Sequence, residues 1–317
     1  MGGMPVTAAI ETRSLRKRYR RVEALRGVDF EVPEGSICGF LGPNGAGKST
    51  TMEILMGLIR PSGGWASILG GDLDGDALLT RSRIGYLPQD PSFFPRAKVR
   101  GILRFVVRRY LDGPRASLDA KVDETLDLVG LTDLANRKVK ALSGGELRRL
   151  GIGQAIIGDP ELLILDEPSV GLDPEGRHQV LTLLDRLKEN MTIFYSSHIL
   201  DDVERIADHI VVIDRGEIVE QGPMDRYLGG RGVYRVTLAG GNGDGVLERL
   251  EREPWVDAVT PLGGREWRIE TPDRTIAENR LMRVLVARDE VRVVSLRPAY
   301  RSLEDLYMEL VGGLDGD

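Results

Sequence analysis

A glycine-rich octet directly after a short apolar run is the feature that most limits how this chain can fold. The octet is GPNGAGKS at residues 42–49; it follows the apolar run Ile37–Leu41, and helical spacing begins at Ser49. Glycines let backbone N–H groups close around phosphate oxygens, and the start of a helix adds positive potential at the same place. The sequence therefore predicts a buried strand, a phosphate-binding loop and a helix in succession.

The side chains of this loop predict a nucleotide together with a divalent metal ion. Lys48 is expected to neutralise the β- and γ-phosphates, and the Ser49 hydroxyl is expected to bind Mg²⁺. The residues expected to hold the nucleotide are Gly42, Pro43, Asn44, Gly45, Ala46, Gly47, Lys48, Ser49 and Thr50.

Two neighbouring carboxylates end a second apolar run. Leu162–Leu165 is continuously apolar, which is typical of a strand covered on both faces, and Asp166 and Glu167 follow it directly. Asp166 is expected to hold Mg²⁺, directly or through water. Glu167 is expected to act on the water that attacks the γ-phosphate.

A third segment, LSGGE at residues 142–146, predicts the start of a helix that an anion can approach. Ser143 and Glu146 have the spacing of a capping box, in which each side chain binds the backbone N–H group of the other residue. Gly144 and Gly145 leave the helix N-terminus without side chains, so that an anion can come close to it.

In this combination the three segments resemble the motifs of the ABC-type ATPases, and the resemblance covers residues 6 to about 225. In that family, the segment that corresponds to residues 142–146 contacts the γ-phosphate of ATP bound to the opposite subunit. The resemblance therefore implies ATP and Mg²⁺ as cofactors, ATP hydrolysis as the activity, and transport across a membrane as the process that it drives.

The same resemblance assigns roles to four further residues. Tyr19 lies upstream of the octet, where the family's adenine-stacking aromatic residue lies, and Gln89 matches the glutamine that senses Mg²⁺ and the attacking water. Asp173 matches an aspartate at the dimer interface, and His198 matches the histidine that contacts the γ-phosphate. Together with Glu167, the residues Gln89 and His198 would then carry catalysis.

Partners and location follow from the resemblance as well. One chain holds one phosphate loop and one LSGGE segment, so two sites require a homodimer, or a pair with a paralogous ATPase subunit, in the ATP-bound state. The longest apolar runs are far shorter than the roughly 20 residues of a membrane helix, so a separate transmembrane permease subunit is expected. The single cysteine, Cys38, fits a reducing compartment. We expect a cytoplasmic protein, peripheral on the inner face of the cell membrane.

Patterns along the chain predict two domains. Residues 1–229 alternate strand-like and helix-like segments, as expected for an α/β P-loop ABC domain whose mixed-sheet core carries a helical subdomain at about 90–150. A glycine-rich stretch at 228–232 follows. Residues 230–317 then show strand, helix, strand, strand, helix and strand patterns, the order of a ferredoxin-like α+β domain, for which we expect an accessory or regulatory role.

The direction of transport is indicated by the C-terminal extension. It ends in an amphipathic segment, Ser302–Leu310, and resembles that of the type-2 exporter branch. An importer subunit would use the same chemistry and is the alternative. An ABC factor acting on ribosomes would carry two cassettes in one chain, and a DNA-repair ATPase of the SMC type would place a long coiled coil between Lys48 and Asp166. The net charge of −6 argues against nucleic acid as a partner.

Overall fold

The chain divides into two compact units, residues 1–222 and 223–317. The sequence pattern placed the boundary later, after residue 229, because it followed the glycines and not the packing. The short helix at 224–228 therefore belongs to the second unit, and the accessory or regulatory role of that unit stays a prediction. The computed structural model describes residues 7–73, 77–228, 232–240, 243–272, 274–286, 292–298 and 303–312.

Two sheets and a helical segment form the first unit. Its strands are β1 (Ala8–Tyr19), β2 (Val22–Pro33), β3 (Ile37–Leu41), β4 (Gly63–Ile68), β5 (Gly71–Asp72), β6 (Ile84–Leu87), β7 (Leu162–Leu165), β8 (Thr192–Ser197), β9 (His209–Asp214) and β10 (Glu217–Pro223). Its α-helices are α1 (Lys48–Leu55), α2 (Ala77–Ser82), α3 (Val99–Val107), α4 (Arg115–Leu128), α5 (Gly144–Ile156), α6 (Pro174–Leu187) and α7 (Leu200–Ile206).

The larger sheet is built around parallel strands. Its order is β10–β9–β3–β8–β7–β6, and the pairs from β9 to β6 are parallel. The smaller sheet, β2–β1–β4–β5, is antiparallel. Every residue of β3, β7 and β8 is buried, as expected for parallel strands covered on both faces. The predicted α/β P-loop fold is confirmed.

Three phenylalanines pack between the two sheets. Phe30 lies on β2 of the antiparallel sheet, whereas Phe40 and Phe194 lie on β3 and β8 of the parallel sheet. Their ring centroids are 5.2–5.6 Å apart, and the rings are almost fully buried. Aromatic pairs at such distances stabilise a core beyond the area that they bury. This cluster holds β3, the strand that leads into the octet, against its neighbours.

The segment between β6 and β7 is helical, as the sequence predicted. It contains α3, α4 and α5, together with short 3₁₀ helices at Thr132–Leu134 and Val139–Ala141. Helices α3 and α4 contact each other, and Arg100 on α3 pairs with Asp123 on α4. Among the helices that the structure describes, none is long and apolar enough to cross a lipid bilayer.

The second unit has the βαββαβ order that the sequence predicted. Its sheet has the strand order β12–β13–β11–β14 with antiparallel pairs, which is the split βαβ arrangement. Side chains from β11 and β13 form a core with side chains of α9 and α10. The elements are α8 (Met224–Leu228), β11 (Gly232–Ala239), α9 (Gly243–Glu251), β12 (Ala258–Gly263), β13 (Glu266–Thr271), α10 (Arg274–Leu285), β14 (Arg292–Pro298) and α11 (Leu303–Gly312).

The amphipathic segment near the C-terminus forms α11, which contacts α8 within the same unit. Leu303 is buried, and Leu306 and Tyr307 are partly buried, in agreement with the predicted apolar face. The side chain of Leu310, the fourth residue of that face, lies outside the described residues.

A chain that ends at Pro223 is expected to stay folded and to be stabilised by Mg-ATP, because the core around Phe30, Phe40 and Phe194 is built within the first unit. Circular dichroism and thermal unfolding with and without Mg-ATP would measure this. The matched control is the same truncated chain with Lys48→Ala, which should lose the stabilisation by ATP. An insoluble truncated chain, or one that ATP does not stabilise, would contradict the expectation.

Candidate nucleotide-binding site

The predicted phosphate loop lines a cleft of about 340 Å³. The cleft also includes Gln89, which follows β6, and Glu167, which follows β7. The structure thus brings together segments that lie far apart in the sequence. The lining residues are Ala24, Asn44, Gly45, Gly47, Lys48, Ser49, Thr50, Gln89 and Glu167.

Two glycines of the octet are required by close approach of neighbouring groups. A Cβ atom on Gly42 would lie 2.3 Å from the backbone oxygen of Ile213, and one on Gly47 would lie 2.7 Å from Cδ2 of Leu25. Gly47 also has a φ of +114°, which side chains disfavour. Helix α1 begins at the next residue, Lys48, so the unpaired N–H groups of its first turn lie at the loop.

Lys48 is buried and held by the loop itself. Its Nζ donates to the carbonyl oxygens of Gly42 at 2.7 Å and Pro43 at 3.3 Å, and it lies 3.3 Å from Oε1 of Glu167. The N–H group of Ala46 donates to the carbonyl of Pro43 and closes the turn. Phosphate oxygens in the cleft would offer Lys48 stronger, charge-assisted partners than the two neutral carbonyls.

Ser196 fixes both acidic residues, and the sequence analysis gave it no role. Its Oγ donates to Oδ1 of Asp166 at 2.6 Å and accepts the backbone N–H of Glu167 at 2.8 Å. Ser196 lies at the end of β8, and β8 pairs with β7, the strand that ends before Asp166. A polar residue at the end of a strand next to the acidic pair is the signal that could have identified it.

Glu167 has a strained backbone and contacts two predicted site residues. Its φ of +51° lies in the left-handed region, which costs a non-glycine residue about 1–3 kcal/mol. Oε2 of Glu167 lies 3.0 Å from Nδ1 of His198, while Oε1 faces Lys48. Glu167 is buried, whereas the His198 side chain is 39% exposed. The structure therefore places the predicted base between the predicted cation and the predicted histidine.

Oxygen donors that suit Mg²⁺ occur at the cleft and directly after β7. Ser49 and Gln89 line it, and Asp166 is buried directly after β7. Hydroxyl, amide and carboxylate oxygens are the hard ligands that Mg²⁺ takes, usually together with water and substrate phosphates. The donor set fits the ion that the sequence predicted.

The LSGGE segment lines a second cleft, of about 330 Å³. Here the predicted capping box is present: the Oγ of Ser143 accepts the N–H of Glu146 at 3.3 Å, and Oε2 of Glu146 accepts the N–H of Ser143 at 2.7 Å. Asp173 caps α6, where its Oδ1 accepts the N–H of Gly176 at 3.0 Å. The lining residues are Ser143, Gly144, Gly145, Glu146, Arg149, Gly171, Leu172, Asp173, Glu175, Gly176 and Gln179.

Among the described residues, no residue lines both clefts. The structure thus brings Ser143 and Asp173 together with each other, but it does not bring either of them to Lys48. Tyr19, the predicted adenine-stacking residue, ends β1, is 42% exposed and lines neither cleft. Nζ of Lys17 lies 4.9 Å from the centroid of the Tyr19 ring.

Arg148 connects the helix of the second cleft to the glutamine of the first. It lies on α5, is 8% exposed, and donates through Nη1 to the carbonyl oxygens of Gln89 at 2.7 Å and Pro88 at 3.4 Å. Burial lowers the pKa of Arg148, and the negative charges of Asp90, Asp166 and Glu167 only partly oppose this shift. A buried guanidinium whose partners are backbone carbonyls leaves no pattern in the sequence, so this contact could not be predicted.

Asp202 forms a second buried connection that the sequence analysis missed. It is 1% exposed and accepts hydrogen bonds from Ser169 Oγ at 2.6 Å and Arg177 Nε at 2.5 Å. These residues join the segment after Glu167 to α6 and α7. The only sequence signal is the position of Asp202 in the segment that follows His198.

Comparisons with known proteins agree with this geometry. Residues 25–170 match the protein family described as ABC transporter. The chain is 36% identical to the ABC transporter ATP-binding protein YxlF of Bacillus subtilis, over 94% of this chain and 98% of that protein. It is 35% identical to the Nod factor export ATP-binding protein I of Cupriavidus metallidurans, over 97% and 98%. It is 34% identical to the daunorubicin/doxorubicin resistance ATP-binding protein DrrA of Streptomyces peucetius, over 96% and 93%.

Solved structures resemble the chain over about the length of its first unit. One is cbiO1 from Clostridium perfringens, part of the ABC transporter complex cbiONQ, with a TM-score of 0.63 and 27% identity over 69% of this chain and 90% of that one. Another, the cassette MJ0796, shares the fold with a TM-score of 0.63 and 24% identity over 68% and 98%. With relatives matched along nearly their whole length and a phosphate loop facing a buried glutamate, the chain belongs to the ABC transporter family, as an ATP-binding and ATP-hydrolysing subunit.

Proposed function

We propose that this ATPase subunit powers export, together with a second ATPase chain in the ATP-bound state and a separate transmembrane permease. The second chain is another copy or a paralogous subunit, and the assembly lies on the inner face of the cell membrane. Two relatives named for Nod factor export and for daunorubicin/doxorubicin resistance support the direction of transport.

The observation that carries the proposal is the separation of the two clefts. The loop around Lys48 lines one, the start of α5 at Ser143 lines the other, and the described residues include none that lines both. The N-terminus of α5 attracts anions, yet it is absent from the nucleotide cleft of its own chain. Two facing chains would bring each α5 to the nucleotide of the other, so that ATP joins the subunits and hydrolysis releases them.

Hydrolysis follows from the groups around Glu167. Lys48 neutralises phosphate charge, Glu167 accepts the proton of the attacking water, and His198 holds the carboxylate and contacts the γ-phosphate. When bound, Mg²⁺ compensates the negative charge of the phosphates. These interactions are strong because the groups are preorganised and largely shielded from water. The residues that would hold Mg²⁺ are Ser49, Gln89 and Asp166.

Arg148 would couple Gln89 in the nucleotide cleft to α5, whose N-terminus lines the second cleft. If Gln89 moved without α5, the buried guanidinium would lose its carbonyl partners, and an unsatisfied buried charge costs several times the net value of a hydrogen bond. Gln89 and α5 therefore move together. The state of the other chain's ATP, sensed at Ser143, reaches Gln89 through this contact.

Glu167→Gln is expected to bind ATP, to lose hydrolysis by a factor of about 10²–10⁴, and to accumulate as an ATP-bound dimer, because the base for the attacking water is removed. Phosphate release and size-exclusion chromatography with Mg-ATP would measure both effects. Glu161→Gln is the matched control, since Glu161 is an exposed residue that pairs with Arg83. Near-normal turnover of the Glu167 variant would refute the assignment of the base.

Arg148→Met is expected to lower the maximal rate about tenfold or more and to reduce the cooperativity of hydrolysis in ATP, while ATP affinity stays near that of the wild type. The reason is that Lys48 still binds the nucleotide while Gln89 loses its connection to α5. Arg148→Lys, which keeps the charge without the planar fork, should recover part of the rate. Arg100→Met, which removes a pair within the helical segment, is the control. Unchanged cooperativity in Arg148→Met would rule out the coupling role.

A further inference from the structure

The helices in the core of the second unit pack on one face of its sheet, and the other face carries charged side chains. Tyr234, Val236 and Leu238 of β11 are buried in the core with α9 and α10. Because side chains alternate along a strand, Val233, Arg235 and Thr237 lie on the other face. Arg235 is exposed there.

Three arginines form one row across this face. Arg235 lies directly opposite Arg268 of β13 on one side and directly opposite Arg297 of β14 on the other. All three are exposed. Neighbouring strands are about 4.8 Å apart, so the row places three positive charges within roughly 10 Å. Like charges directly opposite each other destabilise a sheet.

The negative charges of the face do not neutralise this row. Arg268 Nε lies 2.9 Å from Oε1 of Glu270, which neutralises one of the three arginines. Within the part of the chain that the structure describes, Arg235 and Arg297 have no carboxylate within ion-pair distance. Glu266 lies in the next row, opposite Thr237. A local arrangement that costs stability without a compensating contact is typical of a functional site.

We propose that the arginine row Arg268–Arg235–Arg297 binds a soluble ligand that carries two linked phosphate groups. Guanidinium groups bind phosphate through paired, charge-assisted hydrogen bonds, and three of them side by side can pair with the several negative charges of two linked phosphates. In the next row, the hydroxyl of Ser295 donates to that of Thr237 at 2.8 Å and offers further polar atoms.

The charges beside the row favour a compact ligand. Glu270 lies opposite Val233 and Glu266 lies opposite Thr237, so one carboxylate flanks the arginine row on each side. These carboxylates would repel an extended polyanion or an anionic membrane lying across the face, whereas two linked phosphates fit within the row itself.

Titration calorimetry of the full chain with pyrophosphate tests the proposal. The parent protein carries Lys48→Ala, which weakens phosphate binding at the nucleotide cleft, and each variant adds one substitution to this parent. Arg235→Gln should bind pyrophosphate at least about tenfold more weakly than its parent, since a charged hydrogen-bond partner is lost, and Arg297→Gln should show the same loss. The control is Arg292→Gln, which removes the same charge from β14 opposite Ala239, roughly 13 Å along the sheet from Arg235.

Thermal unfolding at low salt provides a second readout. The stabilisation by pyrophosphate is the quantity that a purely structural role would not change. Without ligand, Arg235→Gln should raise the unfolding temperature of the second unit, because a like-charge repulsion is removed; with pyrophosphate, the parent should gain more than the variant. Equal pyrophosphate binding by the Arg235 variant and the control would overturn the proposal. So would row-dependent binding to phosphatidylglycerol vesicles without binding of pyrophosphate, which would assign the face to a membrane.

Discussion

The parallel pairing of β8 with β3 on one side and with β7 on the other is the constraint on which the nucleotide site depends. The register places Leu41 opposite Ser197 and Leu165 opposite Tyr195, so the segments that follow all three strands leave the sheet at one edge. Ligands of open α/β sheets bind at this edge. The phosphate loop, the acidic pair and the histidine meet there because the strands end together.

The sequence predicted those features in which a residue type determines the conformation of the backbone around it. The octet predicted β3, the loop and α1, because Gly47 has a positive φ that residues with a side chain disfavour. Ser143 and Glu146 predicted the capping box that begins α5. Strand-like and helix-like patterns predicted the βαββαβ order of the second unit.

Other features could not be predicted, because they depend on neighbours distant in sequence. Arg148 binds carbonyl groups, which every residue has, and Asp202 is recognised only once α6 and α7 are packed. The arginine row depends on the register of three strands, which alternation alone does not fix. The first compact unit ends at residue 222, before the glycine-rich stretch that marks the boundary in the sequence, because packing and not composition sets this limit.

The central claim is that each nucleotide site needs the loop of one chain and the LSGGE segment of another. Mixing purified Lys48→Ala and Ser143→Arg chains tests it directly, because each variant alone has two defective sites. In a mixed dimer, the intact loop of the Ser143→Arg chain would face the intact segment of the Lys48→Ala chain. Mixing is expected to restore ATP hydrolysis that neither variant shows alone. A mixture that stays inactive, although the two chains form dimers with ATP, would show that the sites are not shared between chains.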